Sequence, residues 1–167
     1  TVDSDVSMYE VHRSLVSGFT PDGTTKIGET TDNTFVDGSP VAGSTNYYRI
    51  VTRDIHDNQS LPSVQTSAEL AVTVLYSMND KWNMVSIPLT VNDYAKATVY
   101  PTSVSDAFKY QAGYVAQTTL ANGTGYWLKF TGSQNVSMTG YMRREETIPV
   151  AEGWNMIGSI TDPITPA

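Results

Sequence analysis

Lys81-Trp82-Asn83-Met84-Val85-Ser86-Ile87-Pro88 returns, little changed, as Gly153-Trp154-Asn155-Met156-Ile157-Gly158-Ser159-Ile160. The offset is 154 − 82, or 72 residues, roughly the size of a small β domain. In the first copy Trp82, Met84, Ser86 and Pro88 fall on one face of a strand. Asn83, Val85, Ile87 and Leu89 fall on the other. Apolar groups on both faces predict a central strand, with Trp82 and Trp154 in the core. The second copy predicts a matching strand over 154–160, beside the first in one sheet. The repetition suits a modular chain better than one body wrapped around a catalytic pocket.

The same alternation extends outward. Tyr9 and Val11 share a strand face. Thr34-Phe35-Val36 reads as a short strand closed by Asp37-Gly38. Tyr48, Ile50 and Thr52 lie on one face of the next strand, and Tyr47, Arg49, Val51 and Arg53 on the other. Residues 63–74 read as one long strand, and Ser77-Met78-Asn79-Asp80 marks a boundary. Beyond it, Asn92-Asp93 caps a short helix over 94–99 that Pro101 ends. Residues 108–110 and 114–116 predict a hairpin around Gln111-Ala112-Gly113, and Asn122-Gly123 predicts a turn. Strands follow at 125–130, 134–141 and 146–150. The expected fold is all-β: two immunoglobulin-like β-sandwich domains, at 1–74 and 75–167.

Composition narrows the function. With 40% hydrophobic and only 16% charged residues, the surface must be largely neutral and polar. A net charge of −7 repels a phosphate backbone and an anionic membrane surface, so neither is an expected partner. There is no cysteine, hence no disulfide framework and no thiolate metal site. No apolar run approaches the roughly 18 residues of a spanning helix.

Candidate chemistry is sparse. Only His12 and His56 could serve a Ser–His–Asp triad, and no nucleophile-elbow sequence surrounds any serine. His12 is expected to face solvent, opposite Tyr9 and Val11, and His56 lies in a turn. Asp3, Asp5 and the turn Asp54-Ile55-His56-Asp57-Asn58 offer oxygens to calcium, but without a full coordinating spacing, and turn chemistry accounts for them as well. Glu145-Glu146 beside Arg143-Arg144 reads as a solvated loop with ion pairs rather than a hydrolytic pair. No catalytic or metal-binding residue is therefore expected. The aromatics carry the sharpest hint. Tyr110, Tyr114 and Tyr126 lie on or beside turns, where a sugar-stacking platform could form, and Trp127 sits between Tyr126 and Leu128, so one strand face must hold an aromatic outward or against another domain. Core packing is the plainer alternative for these rings.

Two stretches carry family resemblances. YEVHRS, TFVD, GSTNYYRIVTRD and HDNQSLPS, in that order over residues 9–63, resemble the third to seventh strands of a fibronectin type III domain. The first two strands of that pattern are missing, and Asn46 stands where the family has a corner tyrosine, with Tyr47 next to it. WNMVSIPL, AFKYQAGYV, LANGTGYWLKF and GWNMIGSI resemble a β module found near the C-termini of large secreted proteins of the Bacteroidota and Chlorobi kind. Such modules come in series, so Trp154 would open a further repeat and the chain would be a piece of a longer protein. The resemblance implies a secreted or cell-surface location and a non-catalytic structural or adhesive role. Expected partners are other domains of a parent protein or other copies, joined by strand addition at the open sandwich. The alternative is a carbohydrate-binding accessory module of a secreted glycoside hydrolase, with polysaccharide as partner. No cofactor is expected beyond the calcium already considered.

Overall fold

A computed structural model describes residues 5–162 and divides the chain into two compact units, Thr1–Leu70 and Ala71–Ala167. The protein is nearly all β, as the alternation requires. Asp3 lies outside the described residues.

The first unit is one antiparallel sheet of β1 (Val6–Ser14), β2 (Lys26–Thr30), β3 (Thr45–Asp54) and β4 (Thr66–Glu69), in the order β2-β1-β3-β4. Val11 opposes Ile50 and Tyr9 opposes Thr52, so the apolar positions of β1 and β3 meet on one face as their periodicity predicts. Thr34-Phe35-Val36 forms no strand. Instead Phe35 lies over Gly28, where a Cβ would come within 2.6 Å of its ring. The opposite face is polar, and His12 is buried there at 4% exposure instead of facing solvent. Its Nδ1 meets Thr25 Oγ1 at 3.1 Å. Asn46 is fully buried and secures the corner: Oδ1 accepts from Val41 N–H, and Nδ2 donates to the carbonyls of Val41 and Ser44.

The expected strand over 63–74 breaks into β4 and β5 (Val72–Met78), and β5 belongs to the second unit. There it pairs with β11 (Gln134–Met142), which also pairs with the two-residue β7 (Leu89–Thr90). The other sheet holds β6 (Lys81–Val85), β8 (Ala107–Tyr110), β9 (Tyr114–Gln117) and β10 (Tyr126–Phe130), in the order β6-β10-β8-β9. The inward residues of both sheets form one core, with Ile87, Leu89, Ala107 and Leu128 at 0% exposure. The arrangement is sandwich-like. The helix shortens to α1 (Lys96–Val99), and Asp93 Oδ1 accepts from Ala95 N–H at its start.

Two expectations from the repeat are corrected. β6 is an edge strand, not a central one. The 154–160 copy is not a strand beside it; among the described residues its only ladder contact is a single bridge, Thr124 to Ile157. Residues 146–150 likewise form no strand.

Candidate aromatic site

The outward face of the second unit's four-stranded sheet carries the aromatic residues. Register places Met84, Trp127, Phe108 and Ala116 in one row across β6, β10, β8 and β9. Trp82 opposes Lys129 in the next row, and Tyr110 opposes Tyr114 at the hairpin end. Strand alternation explains the division: Tyr126 and Leu128 turn inward, so Trp127 turns out. Trp82 is 50% exposed and Tyr114 63% exposed.

These rings form a depression of about 500 Å³ lined by Trp82, Phe108, Tyr114 and Trp127. The Trp82 and Phe108 centroids are 6.1 Å apart with planes at 57°, and those of Tyr110 and Tyr114 are 5.8 Å apart at 73°. Both pairs have the tilted geometry that aromatic quadrupoles favour. A second depression of about 500 Å³ shares Tyr114 and Trp127 and is walled by Trp154, Met156 and Ile157. A third, of about 420 Å³, continues past Tyr110 and Trp154 to Lys109, Gln111, Thr124 and Glu146. The result is a trough with an aromatic floor and one polar end.

The second Trp-Asn copy supplies the wall. Gly125 N–H donates to Met156 O at 2.9 Å, and Gly158 N–H to Gly123 O at 3.0 Å. A Cβ on Gly158 would lie 2.8 Å from the Thr124 backbone nitrogen, so only glycine admits this approach. Ser159 N–H donates to Ser86 Oγ, and Thr161 Oγ1 donates to Pro88 O. Ser86 O in turn accepts from the buried Tyr100 hydroxyl, whose pKa desolvation pushes far upward, so it stays a donor.

Of the four ring residues expected to bind, Tyr110, Tyr114 and Trp127 line the trough. Tyr126 does not. It is 2% exposed, and its hydroxyl accepts from Ala121 N–H. Trp82, Met84, Phe108 and Trp154 complete the surface, and sequence reading missed them by assigning both repeated tryptophans to the core. Trp154 is 89% exposed. The available signal was that Val85, Ile87 and Leu89 already supply an inward face, which leaves Trp82 and Met84 for the other side.

No charged residue among the described residues lines the first two depressions. Among the described residues, no group of three or more His, Cys, Asp or Glu is placed to hold a metal ion. Asp54 spends its carboxylate within its own turn, accepting from the N–H groups of His56 and Asn58 and from Asn58 Nδ2. Arg143 pairs with Glu146, and Arg144 with Asp162 at 2.7 Å.

The first unit has its own buried polar cluster. Glu10 Oε1 accepts from Lys26 Nζ at 2.6 Å and Arg53 Nε at 3.0 Å, and Oε2 accepts from Gln59 Nε2 at 3.0 Å. The Lys26 hydrogen bond does most to hold the carboxyl pKa below its ordinary value. His12 Nε2 lies 3.9 Å from Glu10 Oε2. With its oxygens committed to neighbours, Glu10 serves as an internal tie. No family model, curated protein or solved structure matches the chain.

Proposed function

We propose that this chain is a non-catalytic binding module of a secreted or cell-surface bacterial protein, structural or adhesive in role. The observation that supports it is the aromatic trough on the outward sheet face, whose first two depressions have no charged lining among the described residues. Soluble monomers rarely expose contiguous apolar patches of this kind without a partner. The resemblance of the first unit to fibronectin type III strands and of the second to the Trp-Asn modules of secreted proteins supports a secreted setting. Trp127→Ala and Tyr114→Ala would test the role. Each should abolish binding to the natural surface or partner while leaving the far-ultraviolet circular dichroism spectrum intact. Equal binding by both variants would remove the trough from the function.

A second reading rests on the first unit. Its sheet ends at β2 and β4, and a groove of about 430 Å³ over Tyr9, Val11, Phe35 and Ile50 lies on its apolar face. Strand addition by another copy would use that edge and groove. Sedimentation of the whole chain tests this: a monomer at all concentrations would remove it.

A further inference from the structure

We propose that the aromatic trough binds a single chain of a neutral, equatorially linked polysaccharide, of the β-1,4-glucan, mannan or xylan kind. This rests on the reading of the trough as the binding surface and names its ligand.

Shape excludes the simplest alternatives. The floor crosses from β6 to β9, which at the usual strand spacing is about 14 Å. That length suits an oligosaccharide segment rather than one sugar. A flat crystalline glycan face would need coplanar rings, whereas here the planes are inclined by 57° and 73°. Inclined rings along an open trough cradle a twisted ribbon. An equatorially linked chain is such a ribbon, with the axial C–H bonds of each pyranose exposed on its faces. Those C–H bonds are weakly positive, and the ring faces of Trp and Tyr are negative.

Charge points the same way. Among the described residues no Arg, Lys, Asp or Glu lines the first two depressions, and at the polar end Lys109 comes together with Glu146. Along the aromatic floor an anionic glycan would therefore lose its water without gaining a counter-charge. The polar end supplies hydrogen-bonding groups for sugar hydroxyls, with Gln111 and Thr124 among them. A second copy of the chain fits less well, because each copy carries −7.

The chain has three tryptophans, Trp82, Trp127 and Trp154, and all three line the trough. Indole emission therefore reports directly on occupancy. The test titrates the whole chain with hydroxyethylcellulose, glucomannan, xylan and mixed-linkage β-glucan. Amylose and alginate serve as helical and anionic controls. At least one of the first four should shift the emission to shorter wavelength and retard the protein in an affinity gel. Trp127→Ala and Tyr114→Ala should each weaken that retardation tenfold or more, and the controls should do nothing. No retardation by any of the four, or retardation undiminished in both variants, overturns the ligand assignment. If the same variants instead dissolve a self-association seen by sedimentation, the sugar is wrong and the trough is still the binding surface. If they change neither, both readings fall.

Discussion

Asn83 and Asn155 fasten two copies of one turn. Asn83 Oδ1 accepts from Asn79 N–H, and its Nδ2 donates to the carbonyls of Asn79 and Lys81. Asn155 repeats this with Ala151 and Gly153, bond for bond. The residue two before each asparagine has a positive φ, 72° at Lys81 and 91° at Gly153. The repeated Trp-Asn pair is thus a hook: the asparagine closes the turn, and the tryptophan is thrown outward. The similarity in sequence encodes a turn and an exposed ring rather than a repeated core strand.

Lys81 holds a conformation that costs a side-chain-bearing residue about 1 kcal/mol and that glycine adopts freely. Lys81→Gly should therefore stabilise the second unit by up to about 1 kcal/mol, and Gly153→Ala should loosen the second hook by a similar amount. Denaturant unfolding followed by tryptophan emission checks both, since every tryptophan lies in that unit. Destabilisation by Lys81→Gly would mean that the lysine side chain contributes more than its backbone strain removes.

Docking of the second hook depends on Gly158. Gly158→Ala would place a methyl against backbone atoms of Gly123 and Thr124, which cannot swing aside as a side chain tip can. The expected result is release of 151–160 with the two-sheet core intact. Hydrogen exchange at Gly125 and Ser159 should quicken, while exchange in β11 stays slow. Unchanged exchange at both positions would show that the approach tolerates the methyl.

Surface and core should separate cleanly by mutation. Leu128 is at 0% exposure between the sheets, so Leu128→Ala should cost about 3 kcal/mol. Trp154→Ser should cost under about 0.5 kcal/mol, because that ring is almost wholly exposed. A large loss from Trp154→Ser in thermal unfolding would return the repeated tryptophan to a structural role.

Alternation made the all-β character, the pairing faces of β1 and β3, and the hairpin at 110–114 legible in advance. Those features depend only on near neighbours and on turn residues. Burial at Trp82 was not legible, because periodicity assigns a residue to a face without saying whether another layer covers it. The same gap misplaced His12: its strand position was right, but Thr25 and Lys26 come to it from the start of the neighbouring strand and close over it beside Glu10. Tyr110 and Tyr114 could be found because they flank a turn, and Trp127 because alternation with Tyr126 and Leu128 puts it on the other strand face. Trp154 joins them because its neighbours Met156, Gly158 and Ser159 hydrogen-bond to Gly125, Gly123 and Ser86, which no local pattern announces.

Acid should unfold the first unit in two steps that mutation can separate. Desolvation of the imidazole is the main cause that lowers the His12 pKa, so His12 is neutral when folded. The unfolded imidazole takes a proton near the ordinary value of about 6.5. Stability is then complete above that pH and falls as pH drops through it toward the lower folded value. The Glu10 carboxyl is also lowered, by its hydrogen bonds from Lys26 and Arg53. Its contribution is present above about 4.3 and is lost as pH falls further, through the folded value. His12→Asn should remove the upper step and leave the lower one. Glu10→Gln should remove the lower step and cost about 2 kcal/mol at pH 7, because the partly exposed Lys26 and Arg53 recover water when the carboxylate is gone. It should also push the His12 pKa lower still, since Glu10 is the group that most raises it. Circular dichroism at fixed denaturant between pH 3 and 8 reads all of this, and tryptophan emission reports the second unit as an internal control. A His12→Asn profile identical to that of the parent would mean the imidazole does not change its protonation on unfolding.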